Sequence, residues 1–456
     1  MALAATVVWE IQPAGTHADD ANGGGFDAGV AAPGTDYTQG AGLTHVDYTS
    51  LNSVGGDNTM IRHASKFTAA DLGNTIHITG GTNAIAGWYT LKSLDSDDAK
   101  LDRDWTTGST TDGTGILGGS LATLGGLGAI FQTAAQATAG MKAYMLHGTY
   151  SLTQTTVNIS GGALDLDASQ MDGKYFVLKG YDDAYGRTSF VGTRPVIDCA
   201  TVTPANAHVV TVKGTAGHCQ YAVFLEIDGD DLTVTGIFGS SLVYDNAISC
   251  VVHHCDVIGI SQCVTTLCHS HTNVGDGFDT VFPVLCRSSG NGGAGFDASV
   301  SPQCCIADGN AGSGFSLGYG TESINCVAYN NGVRGFTSNH ARLINCIAYS
   351  NGTYEYYGTY QLLLINCASG DVTSGRTGGV VVQDIGAVTL TADPFTDKAA
   401  GDFSLNNTAG GGALCRAAGI SVPSQTGYSD VGSVQHADPA AGGGGPLVGA
   451  SALVSV

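Results

Sequence analysis

A chain of 456 residues has room for two or three units and an ample buried core. Only 12% of its residues are charged, and 17 Lys+Arg against 39 Asp+Glu give a formal net charge of −22. That balance excludes a nucleic-acid or anionic-membrane partner, since both need a basic face, and no run reaches the ~18 apolar residues of a membrane span.

Met1 to Glu10 carries no basic stretch and only a short apolar one, so it does not read as a signal peptide. Residues 1 to about 50 are turn-rich, with Gly23-Gly24-Gly25-Phe26-Asp27 and Pro33-Gly34-Thr35-Asp36-Tyr37, and are expected to lie irregularly against another surface. A small antiparallel β unit follows over 59–105, with strands at Thr75-Ile76-His77-Ile78-Thr79, Gly87-Trp88-Tyr89-Thr90-Leu91 and Ala99 to Trp105. The Gly-rich stretch 108–128 reads as a linker, and Phe131 to Ala139 as one short helix. Ala143 to Leu152 is the expected first strand and turn of a longer array. Its early members include Tyr175 to Tyr181, Arg194 to Asp198, Val209 to Val212 and Tyr221 to Ile227.

From Cys250 onward the chain is a repeat. Cys250, Cys268, Cys286, Cys305, Cys326, Cys346 and Cys367 are spaced by 18 to 21 residues. Five residues on from five of them comes Asn273, Asn291, Asn310, Asn331 or Asn351, and nine and ten on from four come glycine and Phe278, Phe296, Phe315 or Phe336. Tyr356 takes the aromatic slot of the next copy, while Cys255 and Gly259-Ile260 fill the slots of the first. A period near 20 without helical hydrophobic spacing means a solenoid. Short β-prone runs broken by Asn-Gly and Ser-Gly turns make each copy one coil of a parallel β-helix, stacked at about 4.8 Å. Cysteine and the aromatic residues are expected in the bore. The asparagines are expected at a left-handed turn, their amides bonding from coil to coil.

Motifs such as Asn325-Cys326-Val327-Ala328-Tyr329-Asn330-Asn331-Gly332 resemble the right-handed parallel β-helix family typified by pectate lyases and phage tailspikes. The opening, Trp9-Glu10 with Gly24-Gly25-Phe26 and Gly34-Thr35-Asp36-Tyr37, resembles β-helix proteins encoded in tailed-phage genomes. Asp393-Pro394-Phe395, Gly401 to Leu405 and Gly427 to Gln435 resemble the closing segments of such helices. The expected architecture is therefore all-β: an N-terminal arm and β unit for attachment (1–128), a right-handed parallel β-helix (129–390), and a C-terminal cap with a flexible tail (391–456). The 13 cysteines are odd in number and mostly occupy one repeating slot, which reads as a buried, reduced ladder rather than a disulfide framework.

Three groups are candidates for chemistry. Asp279 and Asp297 each follow their phenylalanine at the same slot of adjacent coils. They are expected to face outward one strand spacing apart, near the carboxylate separation of retaining glycosidases, with no third carboxylate joining them. His269, His271 and Arg287 lie on the same two coils. Glu226, Asp228, Asp230 and Asp231 offer hard oxygens to calcium but lack the EF-hand spacing, and an acidic turn is the blander reading. His253-His254, or His269 with His271, are candidate transition-metal ligands. No phosphate-binding glycine motif and no serine-nucleophile motif is present, and no cofactor is expected.

The resemblance and the lack of an export signal imply a structural virion protein of a tailed bacteriophage, folded in the host cytoplasm and displayed on the particle as a head decoration or a tail fibre or spike. It implies a homotrimer contacting other capsid or tail proteins and a host-surface polysaccharide. The alternative is a polysaccharide-binding or -degrading β-helix enzyme: a depolymerase, lyase or glycosidase.

Overall fold

The computed structural model describes residues 7–11, 25–27, 46–72, 75–117, 141–151, 164–165, 176–182, 190–199, 207–212, 220–232, 234–239, 245–370, 376–378, 381–416, 418–420 and 430–434. These fall into two units, 1–230 and 231–456. The expected helix at 131–139 and the tail from 440 lie outside the described residues.

In the first unit, six strands close into a barrel: Val46–Val54, Asp57–Arg62, Thr75–Gly80, Gly87–Asp95, Asp98–Leu101 and Gly113–Leu117. The three strands expected from alternation are among them. The last strand comes from the stretch read as a linker, which is corrected here. Gly113 closes the barrel where no side chain fits, since a Cβ there would lie 3.0 Å from both Leu51 and Trp105. Trp105 is fully buried, and its indole N–H donates to the Met60 carbonyl at 2.9 Å.

The N-terminal arm is not wholly irregular. Val7–Ile11 pairs with Gly25–Asp27 and lies parallel to Met141–Leu146, so it enters a coil sheet. Parallel stacking continues through Phe176–Tyr181 and Gln220–Val223, and separately through Gly148–Ser151, Pro195–Asp198 and Glu226–Leu232.

The second unit is a parallel β-solenoid of about seven turns. One sheet stacks the strand that follows each cysteine, from Val251–Cys255 and His269–His271 through Ile347–Tyr349 to Val388–Thr389. A second stacks the strand carrying each aromatic slot, including Ile258–Ser261, Asp276–Asp279, Phe296–Ser299, Phe315–Leu317, Arg334–Ile344 and Tyr354–Ile365. A third joins Asp245–Ile248, Val264–Thr266 and Phe282–Val284.

The repeat is explained by what each slot touches. Phe278, Phe296, Phe315 and Phe336 are buried and stack ring on ring at 4.7, 4.8 and 4.7 Å, within 6° of parallel. Tyr356 ends the stack, its hydroxyl 2.9 and 2.8 Å from the carbonyls of Cys346 and Ala368.

The slot cysteines, Cys250, Cys268, Cys286, Cys305, Cys326, Cys346 and Cys367, are buried free thiols. Their thiols also make polar contacts: each Sγ lies 3.2–3.5 Å from the carbonyl two residues earlier, giving a corner oxygen a donor. Cys367 carries the thiol ladder one coil past the last asparagine. Its Sγ lies 3.5 Å from the Ile365 carbonyl and 3.4 Å from that of Leu343 on the coil before.

The asparagine slot differs from expectation in one respect. Asn273, Asn291, Asn310 and Asn331 are buried, and the backbone N–H and side-chain amide of each donate to Oδ1 of the next asparagine. The inter-coil ladder forms, but the left-handed residue is the one before it: His254, Thr272, Gly290, Gly309, Asn330 and Ser350 have φ between 52° and 65°. A second left-handed corner precedes each cysteine, from Ser249 to Asn366. The glycine slot exists for the ladder. A Cβ on Gly277, Gly295, Gly314 or Gly335 would fall 2.7–2.8 Å from the asparagine Nδ2 of the following coil.

The C-terminal segment, expected to cover the solenoid's end, lies on its flank. Phe395, Phe403, Leu405, Cys415 and Val431 pack against Val327, Ile347 and Ala368 on the outer side of the cysteine sheet. Asn345 and Asn366, at left-handed corners, tether it through the carbonyls of Ile420 and Ala418 at 2.9 and 2.7 Å.

Candidate functional site

Because Phe278 and Phe296 point into the bore, strand alternation turns Asp279 and Asp297 outward, where both are half-buried. They are register partners, one strand spacing of about 4.8 Å apart at Cα. Ser261, the register partner on the preceding coil, donates to Asp279 Oδ2 at 3.2 Å, and Thr280 donates to Oδ1 at 2.9 Å.

A third carboxylate, Asp276, feels the charges of the pair, which the sequence reading did not anticipate. Asp276 opens the strand that ends at Asp279, and its Oδ1 accepts the Ala294 N–H of the next coil at 2.5 Å. Burial pushes the Asp276 carboxyl above the usual range. The Ala294 N–H opposes that shift, and the charges of Asp297 and Asp279 add to it. Sequence reasoning missed Asp276 because it breaks the repeat: the equivalent place in the next coil is Ala294, and nothing in the spacing marks it. The signal available was simply two aspartates three residues apart around the Gly-Phe slot. Asp276, pushed toward its protonated form, is thereby suited to donate a proton, as acid–base work on a glycosidic bond requires.

His269, His271 and Arg287 do not join this group. They lie in the sheet that follows the cysteines, and Arg287 is paired bidentately with Asp308 at 2.9 and 3.1 Å. His269 and His271 belong instead to a cluster of imidazoles. His253 and His271 stack with centroids 5.0 Å apart, and His269 lies 4.6 Å from His271. His253 Nδ1 and His254 Nδ1 are 3.0 Å apart.

Glu226 and Asp228 are half-buried on one face of their strand, with Ile227 turned inward between them, and Asp228 is in register with Asp198. The side chains of Asp230 and Asp231 lie outside the described residues. Among the described residues, the acidic turn by itself does not form a group of three metal-ligating side chains, and neither does the aspartate trio.

No family model matches the chain, and no curated protein matches it. Among solved structures it is similar to pectate lyase Pel9A, at 15% identity over 66% of this chain and 89% of that one, with a TM-score of 0.39. A rhamnogalacturonan lyase matches at 15% identity over 58% and 68%, TM-score 0.29. The catalytic unit of a thermostable GH87 α-1,3-glucanase from Streptomyces thermodiastaticus strain HF3-3 matches at 10% identity over 75% and 89%, TM-score 0.28. Two of these are named as lyases and one as a glucanase.

Proposed function

We propose that this protein cleaves a neutral polysaccharide using Asp276, Asp279 and Asp297. The trio carries the reading: three carboxylates on two consecutive coils, one of them held toward its protonated form by burial and by the other two. In this scheme Asp276 donates a proton to the leaving glycosidic oxygen. Asp279 and Asp297 supply negative charge to the oxocarbenium-like transition state or to the attacking group. A net charge of −22 disfavours a polyanionic glycan, whose own charge would be repelled.

The test is reducing-end release from a panel of neutral and acidic polysaccharides. Cleavage of a neutral member, reduced at least 100-fold in Asp276→Asn and Asp297→Asn, is expected. A wild-type protein that cleaves nothing and assembles as a trimer on phage particles would replace this reading with a structural virion role.

A further inference from the structure

The structure assigns a second, separate site: a divalent transition-metal site built on His253 and His254, with His271 and His269 alongside. Four of the chain's 13 histidines meet in this one patch. The fold brings them together for distinct reasons. His269 and His271 are two apart on one strand and share its face. His253 is the register partner of His271 on the neighbouring coil, which lays the two rings 12° from parallel. His254 sits at the left-handed corner, φ 53°, and that turn swings its ring edge-on to His253.

The nitrogen spacing is short enough for one ion to take both rings. Two ligands at right angles on a metal, with bonds of about 2.1 Å, stand ~3.0 Å apart, whereas tetrahedral angles spread them to roughly 3.4 Å. The Nδ1 atoms of His253 and His254 are 3.0 Å apart. Small ring movements from that spacing reach either geometry, so the site is assigned to a divalent transition ion as a class. At this distance one Nδ1 carries a proton toward the other; binding shifts that proton to the ring's own Nε2, so both Nδ1 lone pairs turn to the ion with no net loss of a proton. His269 Nε2 lies 2.8 Å from Ser289 Oγ and His271 Nδ1 lies 3.0 Å from Thr272 Oγ1, contacts that fix the orientation of the flanking rings. The site owes nothing to the aspartate trio, which lies in the other sheet.

Calorimetric titration of the full chain with NiCl2 tests the proposal, with CaCl2 and MgCl2 as controls. One nickel per chain is expected, with affinity reduced at least tenfold in His253→Gln and in His254→Asn; asparagine accepts the left-handed corner, so the second variant keeps the fold. Because the chain also has thiols, the Co(II) complex is recorded in parallel and should show no thiolate-to-metal charge-transfer band. Should either variant misfold by circular dichroism, protection of wild-type histidines from diethyl pyrocarbonate by nickel supplies the same answer. Absence of stoichiometric nickel uptake, unchanged affinity in both folded variants, or a thiolate band would overturn the assignment.

Discussion

Glu355 ends the asparagine ladder by standing in for its missing next member: its buried carboxylate accepts both the backbone N–H and the side-chain amide of Asn351. Five residues on from Cys367, where an asparagine would fall, the sequence has Val372. Without Glu355, the half-buried backbone N–H of Asn351 would lose its acceptor and its side-chain amide would keep only the Ala328 carbonyl, at 3.1 Å.

Glu355→Ala is therefore expected to destabilise the solenoid by about 1–3 kcal/mol, the cost of one donor left unmet. Glu355→Gln retains one acceptor oxygen and should lose less. Denaturant midpoints followed by fluorescence check the order wild type, Gln, Ala; an alanine variant as stable as wild type would remove the ladder-end role.

Two glycines in one coil separate close packing from backbone conformation. A Cβ on Gly295 would lie 2.7 Å from the Gly314 carbonyl oxygen and 2.8 Å from Asn310 Nδ2, whereas Gly290, at φ 63°, has open space around it. Gly295→Ala should cost about 3 kcal/mol through overpacking against backbone. Gly290→Asn, which keeps a left-handed residue in open space, should cost under ~1 kcal/mol. Thermal melts of the two variants, compared side by side, decide it.

The cysteines make a prediction about alkali. Burial holds the thiols of Cys268, Cys305 and Cys346 well above their ordinary value, with neighbouring thiols adding to the effect. Cys304 is pushed up to about 11 and Cys415 to about 12, again first by burial. An acid weaker in the folded than in the unfolded chain contributes stability that is complete below the unfolded value of 9.0 and is lost as pH rises through the folded one. Stability should thus be insensitive to these groups below pH 9 and fall between about pH 9 and 12. Thiol titration should find slow alkylation at neutral pH in the native state and all 13 thiols after denaturation.

The parts of this fold legible in the sequence are those written as a period. Cysteine, asparagine and phenylalanine recur because each must meet its own kind one coil away, so spacing alone places Cys305 over Cys286 and Phe296 over Phe278. The bore, the amide ladder and the outward Asp279/Asp297 pair follow from that. Features written once are not legible in this way. Gly113–Leu117 looks like linker because glycine there serves close packing against Leu51 and Trp105 rather than flexibility. Asp276 has no counterpart in the neighbouring coils. Assigning the left-handed corner to asparagine itself missed by one residue, since asparagine's tolerance of that backbone is a property of type, whereas the corner is set by which residue must turn inward to the ladder.

Asp276 offers a test that joins stability to chemistry. Burial and the charges of Asp297 and Asp279 disfavour its ionised form in the fold, outweighing the Ala294 N–H. A carboxyl raised in this way contributes stability that is complete below its unfolded value, 3.8, and is lost as pH rises through the raised one, so at neutral pH ionised Asp276 is a net burden on the native state. Asp276→Asn keeps an oxygen to accept the Ala294 N–H and removes the charge. It should melt higher than wild type at pH 7, and the gap should close as pH falls below the ordinary carboxylate range. If Asp276 is the proton donor, the same variant should lose glycan cleavage, and wild-type activity should fall on the alkaline side as pH rises through the raised value. A gain in stability coupled to a loss of activity marks a residue kept for function at the expense of the fold. Lower stability of Asp276→Asn at pH 7 would show instead that the aspartate is a structural turn residue, and would remove the proton donor from the proposed site.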